Sequence, residues 1–128
     1  MNRHLSPDGV APPAAVYALA VLAEAPPRML HTSGIVPTRP DGTVPATITE
    51  QAGVVWASVG ALLIEAEMEI ADIVSVTTYV VPGQPLADVM RVRDEFMAGH
   101  LAASTLVTVA ALARPGWFVE IAVVAARP

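Results

Sequence analysis

Glu120 is the side chain in this sequence best suited to moving a proton. It sits in Phe118-Val119-Glu120-Ile121-Ala122-Val123, an almost wholly apolar run. A carboxylate can orient a water molecule or shuttle its proton, and one buried in such a run needs a polar partner. It can equally lie on an outer face or pair with an Arg at an interface. Tyr17 can stack on or hydrogen-bond a small molecule, or pack at an interface. His31 alternates with Ser33, so both point to one face of a strand. A lone histidine there reads first as packed or partly exposed and only second as a general base. Trp56 reads as packing, and Trp117, in a loop beside Gly116, as a residue able to rim a cleft. Other chemistries are missing. The chain has no Cys, which removes thiol nucleophiles, disulfides and Cys-metal sites. Its three histidines are scattered, so neither a metal nor a cofactor is expected.

The charge balance narrows the partners. Net charge is -5, there is no Lys, and the seven Arg form no run or stripe. Nucleic-acid binding is not expected without a basic surface to hold phosphates. Hydrophobic residues make 54% of the chain and charged residues only 15%, against about a quarter in an average soluble chain. Either extra apolar surface is hidden in an oligomer or the composition is simply biased to Ala and Val. The apolar run Ala14 to Ala25 loosely mimics a signal peptide ending in Ala23-Glu24-Ala25. However, Asp8 and Pro12-Pro13 interrupt its approach, and Tyr17 suits a strand. No run nears the roughly 18 apolar residues of a membrane span, so a cytoplasmic protein with no membrane partner is expected.

These side chains need elements to hold them. The 128 residues suit one domain, 1–128, with residues 1–12 as an irregular N-terminal arm. Ala14–Leu22 reads as a strand, Pro26-Pro27 as a turn, and Met29–Ser33 as a second strand. Asp41-Gly42 signals a turn. From a cap at Thr47 or Thr49, Ile48, Ala52, Val55, Val59, Leu62, Leu63 and Ala66 recur at helical spacing, with Glu50, Gln51, Ser58 and Glu65 largely opposite. Ile73–Val81 is a β-branched buried strand stopped by Pro82-Gly83. Leu86, Val89, Met90, Arg93, Phe96 and Met97 mark a second helix closing near Gly99. Leu106–Leu112 and Phe118–Ala126 read as the last two strands. The order β-β-α-β-α-β-β implies an α+β, two-layer fold: a mixed β-sheet with two helices on one face. The other sheet face carries Val and Ala as well, so a partner subunit is its simplest cover.

A set of short segments, in order and at matching intervals, resembles the RidA/YjgF family. They are Tyr17-Ala18-Leu19-Ala20-Val21, Thr32-Ser33-Gly34-Ile35-Val36-Pro37, Ile48-Thr49-Glu50-Gln51-Ala52, Asp72-Ile73-Val74-Ser75-Val76-Thr77, Glu95-Phe96 with His100, Val107-Thr108-Val109-Ala110-Ala111-Leu112, and Glu120-Ile121. The resemblance spans nearly the whole chain. It implies a chorismate-mutase-like fold, a homotrimer, ligand clefts at the subunit interfaces, and hydrolysis of reactive enamines and imines. By the same resemblance Tyr17, Ser33 and Gly34 hold the ligand and Glu120 handles water or protons.

The sequence departs from the family pattern where it matters most. Ser104 stands where the resemblance places a carboxylate-binding Arg, and Leu106 where a small or thiol residue is usual. A hydroxyl offers one donor and no charge, whereas a guanidinium offers a planar fork. No Arg lies between Arg93 and Arg114 in the sequence to replace it, and Arg114 reads as a solvated loop residue. The expected function is therefore small-molecule binding, with divergent imine or enamine hydrolysis of a ligand not anchored by that Arg. The alternative is a non-catalytic metabolite-binding or regulatory module using the same intersubunit cleft. The ribonuclease label attached to the family fits poorly with the acidic charge.

Overall fold

The elements run β1 (Asn2–Leu5), β2 (Ala20–Ala23), β3 (Arg28–His31), α1 (Ile48–Glu65), β4 (Ile73–Val80), α2 (Leu86–Met97), β5 (Ala103–Thr108) and β6 (Val119–Arg127). A single 3-10 turn, Ile70–Asp72, leads into β4. The computed structural model describes residues 2–8, 12–13, 15–25 and 28–128, with Ala20 described as backbone only. Pro26-Pro27 and Ala14 lie outside the described residues.

Four strands form the main sheet in the order β3-β6-β4-β5. β4 and β5 are parallel, as α2 between them requires, while β6 is antiparallel to both β4 and β3. The sheet is thus mixed, and the α+β, two-layer plan expected from the sequence is the one observed. β1 and β2 form a separate antiparallel pair, tied to the main sheet where Ala18 bridges Ala103 and its N–H donates to Ala102 O at 2.8 Å.

Alternation along the two central strands separates the faces. Val76, Thr78 and Val80 on β4, and Val119, Ile121, Val123 and Ala125 on β6, are buried. They pack with Ile48, Ala52, Val55, Val59 and Leu63 of α1 and Val89 and Met97 of α2. Ser75, Thr77, Tyr79, Glu120, Ala122 and Val124 face the other way and are only partly buried. Met29 and Val107 share that open face and are 47% and 40% exposed, so apolar surface remains there.

α1 starts at Thr47, whose hydroxyl accepts the Glu50 N–H at 3.3 Å, a side-chain N-cap. Its C-terminal carbonyls are met by two strand arginines. Arg28 donates to Ala66 O at 2.5 Å and to Glu67 O at 3.2 Å, and Arg127 donates to Glu67 O at 2.9 Å. Cations at this end also favour the helix dipole.

Several boundaries differ from those read in the sequence. Residues 2–5 are not an irregular arm, because β2 offers them an edge to pair with. β2 begins at Ala20 rather than Ala14; Tyr17 lies in a bend before it. β5 runs Ala103–Thr108 rather than Leu106–Leu112, because its partner β4 ends at Val80. Gln51 is not on a polar face but fully buried. Its amide donates to Pro45 O (3.0 Å) and Gly116 O (2.8 Å), and its carbonyl accepts the Phe118 N–H (2.8 Å). One side chain thereby fastens the loop before β6 to the first turn of α1.

Candidate functional site

The six residues singled out in the sequence divide into two groups on opposite faces of one sheet. Thr78 pairs with both Leu106 and Ile121, and Val76 pairs with both Ser104 and Val123. Paired residues share a face, so Ser104 and Leu106 lie on the helix side with Ile121. Tyr79 pairs with Glu120 and with Val107, which places Glu120 on the open side.

On the helix side, Ser104 and Leu106 form one wall of a cavity of about 260 Å³, completed by Ala15, Tyr17, Met90 and Arg93. Tyr17 is held there because the adjacent Ala18 is bridged to the start of β5. Met90 and Arg93, three apart on α2, share one helix face. Arg93 was legible in the sequence only as part of the apolar stripe of α2, yet it is 6% exposed. Its Nε donates to Asp94 Oδ1 at 3.0 Å, and its Nη1 reaches Ser104 Oγ at 3.5 Å. Its buried Nη2 has no hydrogen-bond partner among the described residues. A guanidinium thus stands against Ser104, delivered by the helix rather than the strand. The signal available in the sequence was a permanent cation in a buried stripe, where an unpaired charge is costly.

On the open side, Glu120 is half-buried over Gly34. A Cβ on Gly34 would lie 2.6 Å from the carboxyl carbon of Glu120. Any side chain here would push the Glu120 carboxylate from its place. The neighbouring backbone is fixed to β6: Thr32 N–H donates to Val123 O at 3.0 Å, and Ile35 N–H to Ile121 O at 2.7 Å. Ser33, between them, is exposed. Among the described residues the Glu120 side chain forms no ion pair or hydrogen bond, so its carboxylate is available to an outside donor.

The remaining candidates stay apart from both groups. His31 is exposed and pairs with Val124, four residues and about 13 Å along β6 from Glu120. Arg114 is exposed and stands 5.6 Å from the Trp117 ring centroid. Neither borders the Tyr17–Ser104 cavity. Trp56 is buried and stacks on Phe96, centroids 4.7 Å apart, as a packing residue should. Among the described residues no cluster of His, Asp and Glu could hold a metal ion, and no helix is long and apolar enough to cross a membrane.

The arrangement offers two half-sites. One is a half-buried carboxylate seated over Gly34, whose sequence neighbour Ser33 is exposed; the other is a small cavity with a phenol, a hydroxyl and a guanidinium on its wall. The sheet separates them within one chain, so they can serve one ligand only by meeting across two chains.

Comparison with known proteins agrees with this architecture. No curated protein matches the chain in sequence. The solved structure of YyfB from Yersinia pestis, described as a protein of unknown function of the conserved Rid family, superposes with a TM-score of 0.85 at 27% identity, over 98% of each chain. Yeast Mmf1 does so at 0.72 with 28% identity over 100% of each. The YjgF gene product of E. coli matches at 0.73 with 30% identity, over 91% of this chain and 94% of that one. The family model described as Endoribonuclease L-PSP matches residues 9–127, and the chain belongs to this family, that of the Rid and YjgF proteins.

Proposed function

We propose that this protein assembles as a homotrimer and binds a small metabolite where the Glu120 face of one subunit meets the Tyr17–Ser104 cavity of the next. There it hydrolyses a C=N bond. The observation that carries this reading is the seat of Glu120 over Gly34, a carboxylate given room by a missing side chain and left without a partner. In the reaction Glu120 takes a proton from water as its oxygen bonds to the C=N carbon, and the proton passes to nitrogen. The resulting carbinolamine collapses to a carbonyl compound and an amine or ammonia. Tyr17 and Ser33 supply hydroxyls that orient the ligand. The exposed Met29 and Val107 on the open face support assembly, since a partner subunit would cover them.

The ribonuclease activity in the family's description finds no support in this surface. A chain with net charge -5 and no Lys lacks the basic groove that RNA binding needs. A second reading, metabolite binding without turnover, is favoured by one observation: among the described residues nothing orients the Glu120 carboxylate.

The experiment is hydrolysis of imines generated in situ from amino acids and from neutral amines, with wild type and Glu120→Ala side by side. Turnover that disappears in Glu120→Ala supports the hydrolase. Saturable binding without turnover supports the binding module. A monomer by sedimentation, inactive and without ligand affinity, would remove the shared cleft.

A further inference from the structure

We propose that Arg93 is an anion-binding residue of the Tyr17–Ser104 cavity, which makes the cavity a site for a small carboxylate with a short apolar tail. This rests on the reading that the cavity is a ligand site. Ser104 carries no charge, and the sequence alone points to a neutral ligand. The structure points the other way, because the guanidinium of Arg93 arrives at the same place from α2. Three observations converge. Arg93 is almost wholly buried, although its Asp94 partner engages only Nε. Its Nη1 contact to Ser104 is 3.5 Å, at the limit of a hydrogen bond. Its Nη2 is buried with no partner among the described residues.

A buried charged donor left unsatisfied is costly, and a guanidinium has five N–H groups to place. A carboxylate in the cavity satisfies this deficit. A small rotation of the side chain exchanges the long Ser104 contact for a bidentate pair through Nη1 and Nη2. The Ser104 hydroxyl, no longer held as an acceptor, can donate to the same anion. Ser104 is then the small residue that leaves room for Arg93. The volume of about 260 Å³ lies below the range typical for drug-sized ligands, and Leu106, Met90 and Ala15 favour a short alkyl chain beside the carboxylate. Asp94 keeps one edge of the guanidinium occupied, so the site takes a single negative charge.

The test measures calorimetric binding of butyrate and its uncharged isostere butyramide to the intact protein, for wild type, Arg93→Met, Arg93→Lys and Ser104→Arg. Arg93→Met keeps the length and apolar stem of the side chain, and circular dichroism checks that it folds. Wild type is expected to prefer butyrate. Arg93→Met should lose that preference by roughly 30-fold or more, and Arg93→Lys should retain part of it. Ser104→Arg should weaken butyrate binding, because it crowds the existing guanidinium with a like charge. Equal binding of butyrate and butyramide by wild type, or undiminished butyrate binding by Arg93→Met, overturns the assignment, as does binding of neither probe. Imine hydrolysis lost in Glu120→Ala is scored separately on neutral imines. The proposed reaction can therefore stand when the role of Arg93 falls, and the reverse.

Discussion

Gly34 lies so close against Glu120 that a single added methyl would overlap the carboxyl group. Gly34→Ala should therefore act through Glu120. The atoms the added methyl meets all belong to the flexible side chain of Glu120, so that side chain swings away at a cost of under about 1 kcal/mol. Imine turnover should fall more than stability, and in Glu120→Ala the same Gly34→Ala change should cost still less. Thermal melts of the four proteins in this cycle check the coupling; additive losses would mean that the two residues do not act on each other.

Gln51 offers a test of what holds the loop ahead of β6. Gln51→Leu removes three hydrogen bonds and strands the Phe118 N–H and the Pro45 and Gly116 carbonyls. A loss of about 2–4 kcal/mol is expected, which lowers the melting temperature by on the order of 10 °C. Hydrogen exchange at Phe118 should accelerate in parallel, since its donor loses its acceptor.

Val107 shares the open face with Glu120. Val107→Glu should lower the sedimentation coefficient, because a charge buried without a partner at a subunit contact is strongly unfavourable. Ile64, 78% exposed on α1, serves as the control, and Ile64→Glu should sediment as wild type. Identical behaviour of the two variants would mean that solvent covers the sheet.

Trp56 contributes by bulk. Its indole N–H is buried without a partner among the described residues, so Trp56→Phe forfeits no hydrogen bond to them and keeps much of the stack on Phe96. A loss under about 1.5 kcal/mol is expected, against about 3–5 kcal/mol for Trp56→Ala. Denaturant titration distinguishes them.

Periodicity made the helices and β4 legible from sequence, because an apolar stripe or a β-branched run is a local signal. The limits of β5 were not, since they depend on where β4 stops, and the strand at Asn2–Leu5 exists only because a distant segment lies beside it. Gln51 and Arg93 mark a second limit. Each is polar in a position that turns out to be buried, and only the three-dimensional partners explain why. For the site, the resemblance brought out Tyr17, Ser33, Gly34, Ser104, Leu106 and Glu120. It could not show that the sheet divides them into two sets, which follows from the pairing of Thr78 and Tyr79 with their neighbours. The guanidinium beside Ser104 escaped a search along the strand because it enters from the helix.

The pairing of β3 with β6, Arg28 opposite Arg127, has a consequence for how the chain is made. β3 is synthesised well before its partner in the main sheet, with α1, β4, α2 and β5 between them. Until β6 is complete, β3 has an open edge, β4 lacks its central neighbour, and the carbonyls at the end of α1 lack Arg127. Pairing across such a separation is slow, and unpaired edges invite association with other chains. A nascent chain halted before Val119 is thus a form of this protein in need of a chaperone, and the arrival of β6 is the step that closes the sheet.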